Sequence, residues 1–135
     1  MSNALYSKGR QAFLEGKINW LTDTIRCQLV DTAAYTPNLA THQFLSDIAA
    51  GARIGTPKDL VGQTTTDGVA DANDVTFPTL SGPSVELVVL YKWTGVETTS
   101  PLIAAIDTAT GLPVTPSGGD IIVSWDNGSF KIFRL

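Results

Sequence analysis

Apolar and polar residues alternate over two stretches of this chain, and the alternation predicts strands. In residues 20–32, Ile25, Cys27 and Leu29 alternate with polar side chains, which is the period of a strand with one buried face. Residues 84–93 carry apolar side chains on both faces, and such a strand lies near the centre of a sheet. One face holds Val85, Leu87, Val89, Tyr91 and Trp93. The other face holds Val88 and Leu90.

Helical spacing of apolar residues marks the beginning of the chain. In residues 3–16, the side chains of Leu5, Ala12 and Phe13 fall close together on one helical face. Gly16 follows as a residue that can cap the end of a helix, because glycine adopts the left-handed conformation without strain. We therefore predict a short amphipathic helix over this range.

The region between the two clear strand patterns mixes turn residues with weaker signals. Thr41 is suited to cap a turn or two of helix that holds Phe44, Leu45 and Ile48, so we expect a short helical excursion after the first strand. The following thirty residues are rich in Gly, Thr, Asp and Pro. Strand candidates within them lie at residues 60–65 and 69–77.

A hairpin signal stands near the end of the sequence. Asn127-Gly128 is the residue pair that a two-residue type I′ turn favours, because both central positions need a positive φ. We therefore expect residues 130–135 to pair with residues 121–125, so that the chain ends inside a sheet and needs no tail.

Several short strands after a single helix predict a mainly-β fold, with an antiparallel β-sandwich or a barrel as its form. A length of 135 residues fits one domain with its own core. We divide this domain into an N-terminal helical arm over residues 1–20 and a β-sandwich over residues 21–135.

Composition narrows the choice of partners. The chain is 43% hydrophobic and 16% charged, and its net charge of −4 provides no basic surface for nucleic acid or an anionic membrane. The beginning of the sequence is too polar for a signal peptide, and no apolar run reaches the length of a membrane span. One cysteine, Cys27, precludes an internal disulfide and suits a reducing cytoplasm.

Candidate catalytic residues are few. His42 is the single histidine, with Asp47 nearby in sequence, and Cys27 is the single thiol. A catalytic thiol needs a partly exposed, electropositive setting, whereas Cys27 lies on the apolar side of a strand pattern. We therefore expect a buried core thiol and no catalytic site.

Cofactor and metal sites are not predicted either. One cysteine and one histidine cannot supply the usual zinc ligands, and no glycine-rich nucleotide-binding motif is present. Asp67, Asp71, Asn73 and Asp74 lie close together, but their spacing departs from that of a calcium-binding loop. We interpret this acidic segment as a turn between strands.

The three tryptophans allow a second interpretation of the chain's function. Trp20, Trp93 and Trp125 could form a platform for a carbohydrate, which would make the chain a carbohydrate-binding β module. Tryptophans at strand ends more often cover a core, and we favour that role for Trp93 and Trp125.

Three stretches resemble a family of small virion structural proteins of tailed bacteriophages. They lie between residues 4 and 135 and together include 80 of the 135 residues, and the spacing within the third stretch is the most specific of their features. The stretches are ALYSKGRQAFLEGKINW, DTIRCQLVDTAAYTPNLATHQFLSDI and TSPLIAAIDTATGLPVTPSGGDIIVSWDNGSFKIFRL. The resemblance implies a coat component without enzymatic activity, made in the bacterial cytoplasm and found in the virion, and it supplies no catalytic residues.

Within that family we expect a head decoration, or cement, protein that binds the major capsid protein or another coat protein. A minor tail or head–tail connector component is the alternative. Coat proteins gain affinity from repeated weak contacts, so we also expect a homo-oligomer, with a trimer as the favoured form. The candidate assembly contacts are on the helix face around Leu5, Tyr6 and Phe13.

Overall fold

A five-stranded antiparallel sheet dominates the computed structural model, which describes residues 4–107, 109, 112–125 and 132–134. In spatial order its strands are β1 (Ala4–Leu5), β7 (Leu102–Ile106), β6 (Leu87–Lys92), β2 (Ile25–Val30) and β3 (Arg53–Asp59). The predicted strand at residues 25–29 is confirmed as β2, but the expectation of a single buried face is wrong, because Gln28 and Val30 on the other face are buried as well. The central position predicted for the strand with two apolar faces is confirmed as well, because β6 is the middle strand.

Two short antiparallel pairs complete the β-structure. β4 (Val69–Ala70) pairs with β9 (Phe133–Arg134), and β5 (Val75–Phe77) pairs with β8 (Ile121–Val123). The mainly-β, antiparallel class predicted from the sequence is therefore confirmed. Of its two forms the barrel is excluded for the described residues, since the strands form no closed barrel there.

For the described residues 132–134, the pairing predicted at the end of the chain is wrong, while residues 130, 131 and 135 of that prediction lie outside the described residues. Ala70 of β4, and not a residue of β8, lies opposite Phe133, while β8 is taken by β5. The reason is aromatic packing, because β4 brings Phe133 edge-on to Trp20 with the ring centroids 5.2 Å apart. The Asn127-Gly128 turn lies outside the described residues.

The strand predicted at residues 60–65 is also wrong, because the strand in this region is β3, which ends before residue 60. The sequence of β3 contains Gly55 and Pro57, which weaken a strand pattern. They are tolerated since β3 is an edge strand and its pairing with β2 shifts register between Cys27 and Leu29. At this irregularity the buried Gln28 side chain donates to three backbone carbonyls, those of Leu29, Ile54 and Gly55, at 3.1, 3.0 and 3.3 Å.

The predicted N-terminal helix is present but shorter, as α1 (Ser7–Leu14). Its expected first turn is instead β1, which pairs with β7. The predicted cap is confirmed: Gly16 has a φ of 72°, and its N–H donates to the Phe13 carbonyl at 3.1 Å. The N–H of Lys17 donates to the Ala12 carbonyl at 2.8 Å, which completes a Schellman motif.

The helical excursion consists of 3₁₀ turns at Leu45–Asp47 and Ala50–Ala52. Thr41 does not cap the first of them, contrary to the prediction. Asp47 has the capping role, because its Oδ2 accepts the N–H groups of Gln43 and Phe44 at 2.7 and 3.1 Å. A carboxylate at the end of the turn reaches back to the amides that the turn leaves unpaired.

The large sheet is buried on both faces, and β6 contributes to both cores. The larger cluster joins the sheet to α1 and the small strand pairs, and it includes Val88 and Leu90. The smaller cluster lies beneath the segment between β2 and β3, and it includes Leu87, Val89 and Tyr91. Val85 departs from the predicted alternation: it precedes β6, pairs with Val114 and belongs to the larger cluster.

Candidate functional site

Cys27, the sequence's only thiol, is inaccessible. It lies in β2 with its side chain fully buried in the larger cluster. Burial in apolar surroundings disfavours the thiolate and raises the pKa of Cys27 far above its ordinary value. The prediction of a buried core thiol is confirmed, and Cys27 cannot act as a nucleophile in this conformation.

His42 occupies the segment between β2 and β3, where it is half-buried and engaged on one side. Its Nδ1 lies 2.8 Å from the Tyr35 hydroxyl and accepts the backbone N–H of Asn38 at 3.2 Å. The rings of His42 and Tyr35 stack with centroids 5.4 Å apart. Tyr35 belongs to the smaller cluster and Cys27 to the larger one, so the fold does not bring the two candidate catalytic groups together.

A third polar aromatic residue extends this arrangement into the core. The hydroxyl of Tyr6, which has no exposed surface, lies 2.7 Å from the hydroxyl of Tyr35. Burial raises the pKa of both tyrosines, so both hydroxyls stay protonated. We did not predict this chain of three residues, because Tyr6 and Tyr35 are 29 residues apart and no local motif connects them.

The acidic segment at residues 67–74 ties two tryptophans to the body of the protein. The carbonyl of Asp71 accepts the indole N–H of Trp20 at 3.2 Å, and the carbonyl of Asn73 accepts that of Trp125 at 3.0 Å. The Asp74 carboxylate accepts the backbone N–H of Trp125 at 3.3 Å. Across the described ranges, no three His, Cys, Asp or Glu side chains are grouped so as to hold a metal ion.

The tryptophans do not form a carbohydrate platform. Trp20 and Trp125 are 4% and 5% exposed, so their rings are parts of the core. Trp93 is half-buried, and the guanidinium of Arg26 covers its ring at 4.7 Å from the centroid. The observed positions agree with the core role that we favoured from the sequence.

The candidate assembly residues have different environments. Leu5 is 6% exposed and Tyr6 is completely buried, so these two side chains pack into the chain's own cores. Phe13 is half-buried and reaches the surface. Assembly through this helix face stays a prediction, but the accessible apolar groups there are Phe13 and Leu14, which is 89% exposed.

Phe13 belongs to an apolar groove of about 390 Å³. The groove lies between the end of α1, the segment that follows it and the β4–β9 pair, and Leu21, 54% exposed, stands at its edge. Its apolar lining is formed by Phe13, Ile18, Trp20, Leu21, Ala70 and Phe133. Large exposed apolar side chains beside a groove are a feature of surfaces that contact other macromolecules.

A second groove of about 440 Å³, on the other side of α1, is polar. Lys8, Lys17 and Lys92 line it, together with Glu15. The Lys17 ammonium pairs with Glu15 at 2.9 Å, and the Lys92 ammonium donates to the Lys17 carbonyl at 2.8 Å. Much of the positive charge in this groove is therefore engaged within the chain.

Comparison with protein-family models yields no match for this chain, and comparison with curated proteins yields none either. Membership of a phage virion family therefore stays a prediction from the sequence. Among the helices of the described residues, none combines the length and the apolar character that crossing a membrane requires.

Proposed function

We propose that this chain is a structural protein of a tailed-bacteriophage particle, located on the outside of the head as a decoration, or cement, protein. The observation that carries the proposal is the resemblance in three stretches, which together include 80 of the 135 residues. Its partners are the major capsid protein or another coat protein, and copies of itself. It reaches the virion after synthesis in the host cytoplasm.

The chemistry of the described residues supports a role without catalysis. The single thiol is buried with a raised pKa, and the single imidazole uses its Nδ1 within the chain. The Tyr35 hydroxyl lies within hydrogen-bond distance of the imidazole, but Tyr35 is buried and its raised pKa keeps this hydroxyl protonated, whereas nucleophilic catalysis needs an activated nucleophile beside a base.

The surface supports binding to a larger assembly. Phe13 and Leu21 line the groove of about 390 Å³, and the exposed Leu14 adds apolar area at the end of α1. On a symmetric shell, many identical weak contacts add up, because each later contact is made at a high effective concentration. We therefore place the contact with coat proteins, and the proposed trimer contact, at this end of the helix.

Two measurements on particles made from the genome that encodes this chain test the proposal. Mass spectrometry of separated heads and tails should find the protein in the heads, at a copy number in proportion to the major capsid protein. Recovery only from tails, or at a few copies per particle, would favour the tail or connector role. Absence from both fractions would overturn the proposal.

Surface variants test where the contact lies. Leu14→Asp with Leu21→Asp should abolish binding to shells that lack this protein, because each substitution places a charge on the apolar contact. The control is Val61→Asp with Val96→Asp, which changes two exposed valines outside the groove lining, 59% and 54% exposed where Leu14 and Leu21 are 89% and 54% exposed. The control should bind like the parent. Equal loss in both variants would remove the groove from the interface.

A further inference from the structure

The polar chain of Tyr6, Tyr35 and His42 has one allowed direction when the ring is neutral. A backbone N–H can only donate, so Nδ1 of His42 accepts from Asn38 and the ring proton lies on Nε2. The Tyr35 hydroxyl, 2.8 Å from the same nitrogen, therefore donates to it as well. Its oxygen is then the acceptor for the buried Tyr6 hydroxyl at 2.7 Å.

Protonation of the ring reverses this direction. A proton on Nδ1 would face the N–H of Asn38, so that two donors point at each other. The Tyr35 hydroxyl would have to accept from the ring and turn its own proton towards Tyr6. The Tyr6 hydroxyl has no exposed surface, and it would lose the acceptor that it has at present.

The segment around His42 is connected to the start of α1. The carbonyl of Leu39 accepts the N–H of Ser7, the first residue of the helix, at 2.8 Å. The carbonyl of Asn38 accepts the N–H of His42 at 3.0 Å. Leu39 follows Asn38 in the chain, so a displacement of Asn38 also moves the carbonyl group that binds the first residue of the helix.

Asp47 is the charged group that acts on this arrangement. It interacts electrostatically with His42 and with both tyrosines. The amides of Gln43 and Phe44 lower its pKa, so the carboxylate is ionised throughout the range in which imidazoles titrate. It attracts a protonated ring, whereas the two donors at Nδ1 oppose protonation, and the segment therefore has two competing arrangements.

We propose that His42 is a pH-sensitive latch: the neutral ring holds the segment of residues 35–42 against the start of α1, and protonation releases it. The latch needs no partner molecule, and it holds whether or not the chain is a virion protein. Its consequence is that the surface formed by residues 36–43 becomes less ordered when the ring is protonated.

Nuclear magnetic resonance of the full chain tests the latch directly, since His42 is the only histidine in the sequence. At pH 8 the ring nitrogens should show the proton on Nε2. Protection of the Ser7 and Asn38 amides from exchange, corrected for intrinsic rates, should fall about five- to tenfold from pH 7.5 to pH 5, as expected for one lost hydrogen bond. The amide of Trp93, which bonds the Thr24 carbonyl at 2.9 Å, is the internal reference and should not change.

The matched variant is His42→Asn, whose side-chain oxygen replaces Nδ1 as an acceptor but takes up no proton. In this variant the protection of Ser7 and Asn38 should be the same at both pH values. A proton on Nδ1 at pH 8 would overturn the proposal, as would unchanged protection in the parent protein. If His42→Asn does not fold, the tautomer and the exchange of the parent decide alone.

Discussion

Gly9 of α1 lies directly on the backbone of Leu102 in β7. A Cβ at position 9 would come within 2.6 Å of the Leu102 carbonyl oxygen and 3.0 Å of the Ile103 carbonyl oxygen. Only glycine allows this approach, and the contact brings the buried side of the helix against the large sheet. The distance between helix and sheet is therefore set by the absence of one side chain.

We expect Gly9→Ala to lower the free energy of unfolding by about 1–3 kcal/mol, because α1 must move away from β7. The loss should appear although alanine favours a helix by about 1 kcal/mol over glycine. Gly51→Ala is the matched control, since a Cβ at this exposed position would meet nothing within 4 Å. Denaturant unfolding of both variants gives the comparison, and equal stability would contradict the close contact.

Gln28 should be necessary for the irregular pairing of β2 with β3. Gln28→Leu keeps a similar volume but leaves the carbonyls of Ile54 and Gly55 without their buried donor. We expect a loss of about 1–3 kcal/mol in the free energy of unfolding. The exposed Gln11 provides the control, because Gln11→Leu should change stability by less than about 0.5 kcal/mol.

Asp47 should make stability depend on acid. The amides of Gln43 and Phe44 lower its pKa in the folded chain, so its contribution is complete above about pH 4 and is lost as the pH falls further. Asp47→Ala should therefore be less stable than the parent at pH 7, and the difference should shrink between pH 4 and pH 2. Asp47→Asn keeps an acceptor oxygen without the charge, and thermal unfolding should place it between the other two at pH 7. A difference that stays constant down to pH 2 would exclude the carboxylate as its source.

Phe133 should contribute more to stability than its half-buried position suggests. Its ring meets Trp20 edge-on at 5.2 Å and Phe13 at 6.0 Å, and its backbone pairs with Ala70. We expect Phe133→Ala to cost about 2 kcal/mol. Ile122→Ala, at a strand position that is 56% exposed, should cost less than about 1 kcal/mol. Similar melting temperatures for the two variants would mean that the aromatic contacts contribute little.

The sequence pattern predicts those strands whose environment is visible in their own residues. β2 alternates and β6 is apolar on both faces, so both could be identified without knowledge of their neighbours. β3 could not, because its Gly55 and Pro57 are acceptable only at an edge, and the edge is a property of the whole sheet. The partner of β9 depends on Trp20, far away in sequence.

The same distinction separates the predicted from the unpredicted parts of the site. The burial of Cys27 follows from the alternation in its own strand. The contact of His42 with Tyr35, and through it with Tyr6, depends on how the segment after β2 folds back over the sheet. A local pattern contains no information about such a return, so the residues were visible in the sequence but their relationship was not.

The strand order of the large sheet also determines when this protein can fold. Ala4 pairs with Ala105 and Ile25 with Lys92, so the ends of long loops must meet before these ladders add any stability. Loop closure costs entropy in advance, and proteins dominated by such distant pairings fold in milliseconds to seconds. During synthesis β1 has no partner until β7 has left the ribosome, and the Gly9 face of α1 must wait for the same strand. The buried side of α1 therefore stays exposed in the newly made chain until β7 has been synthesised.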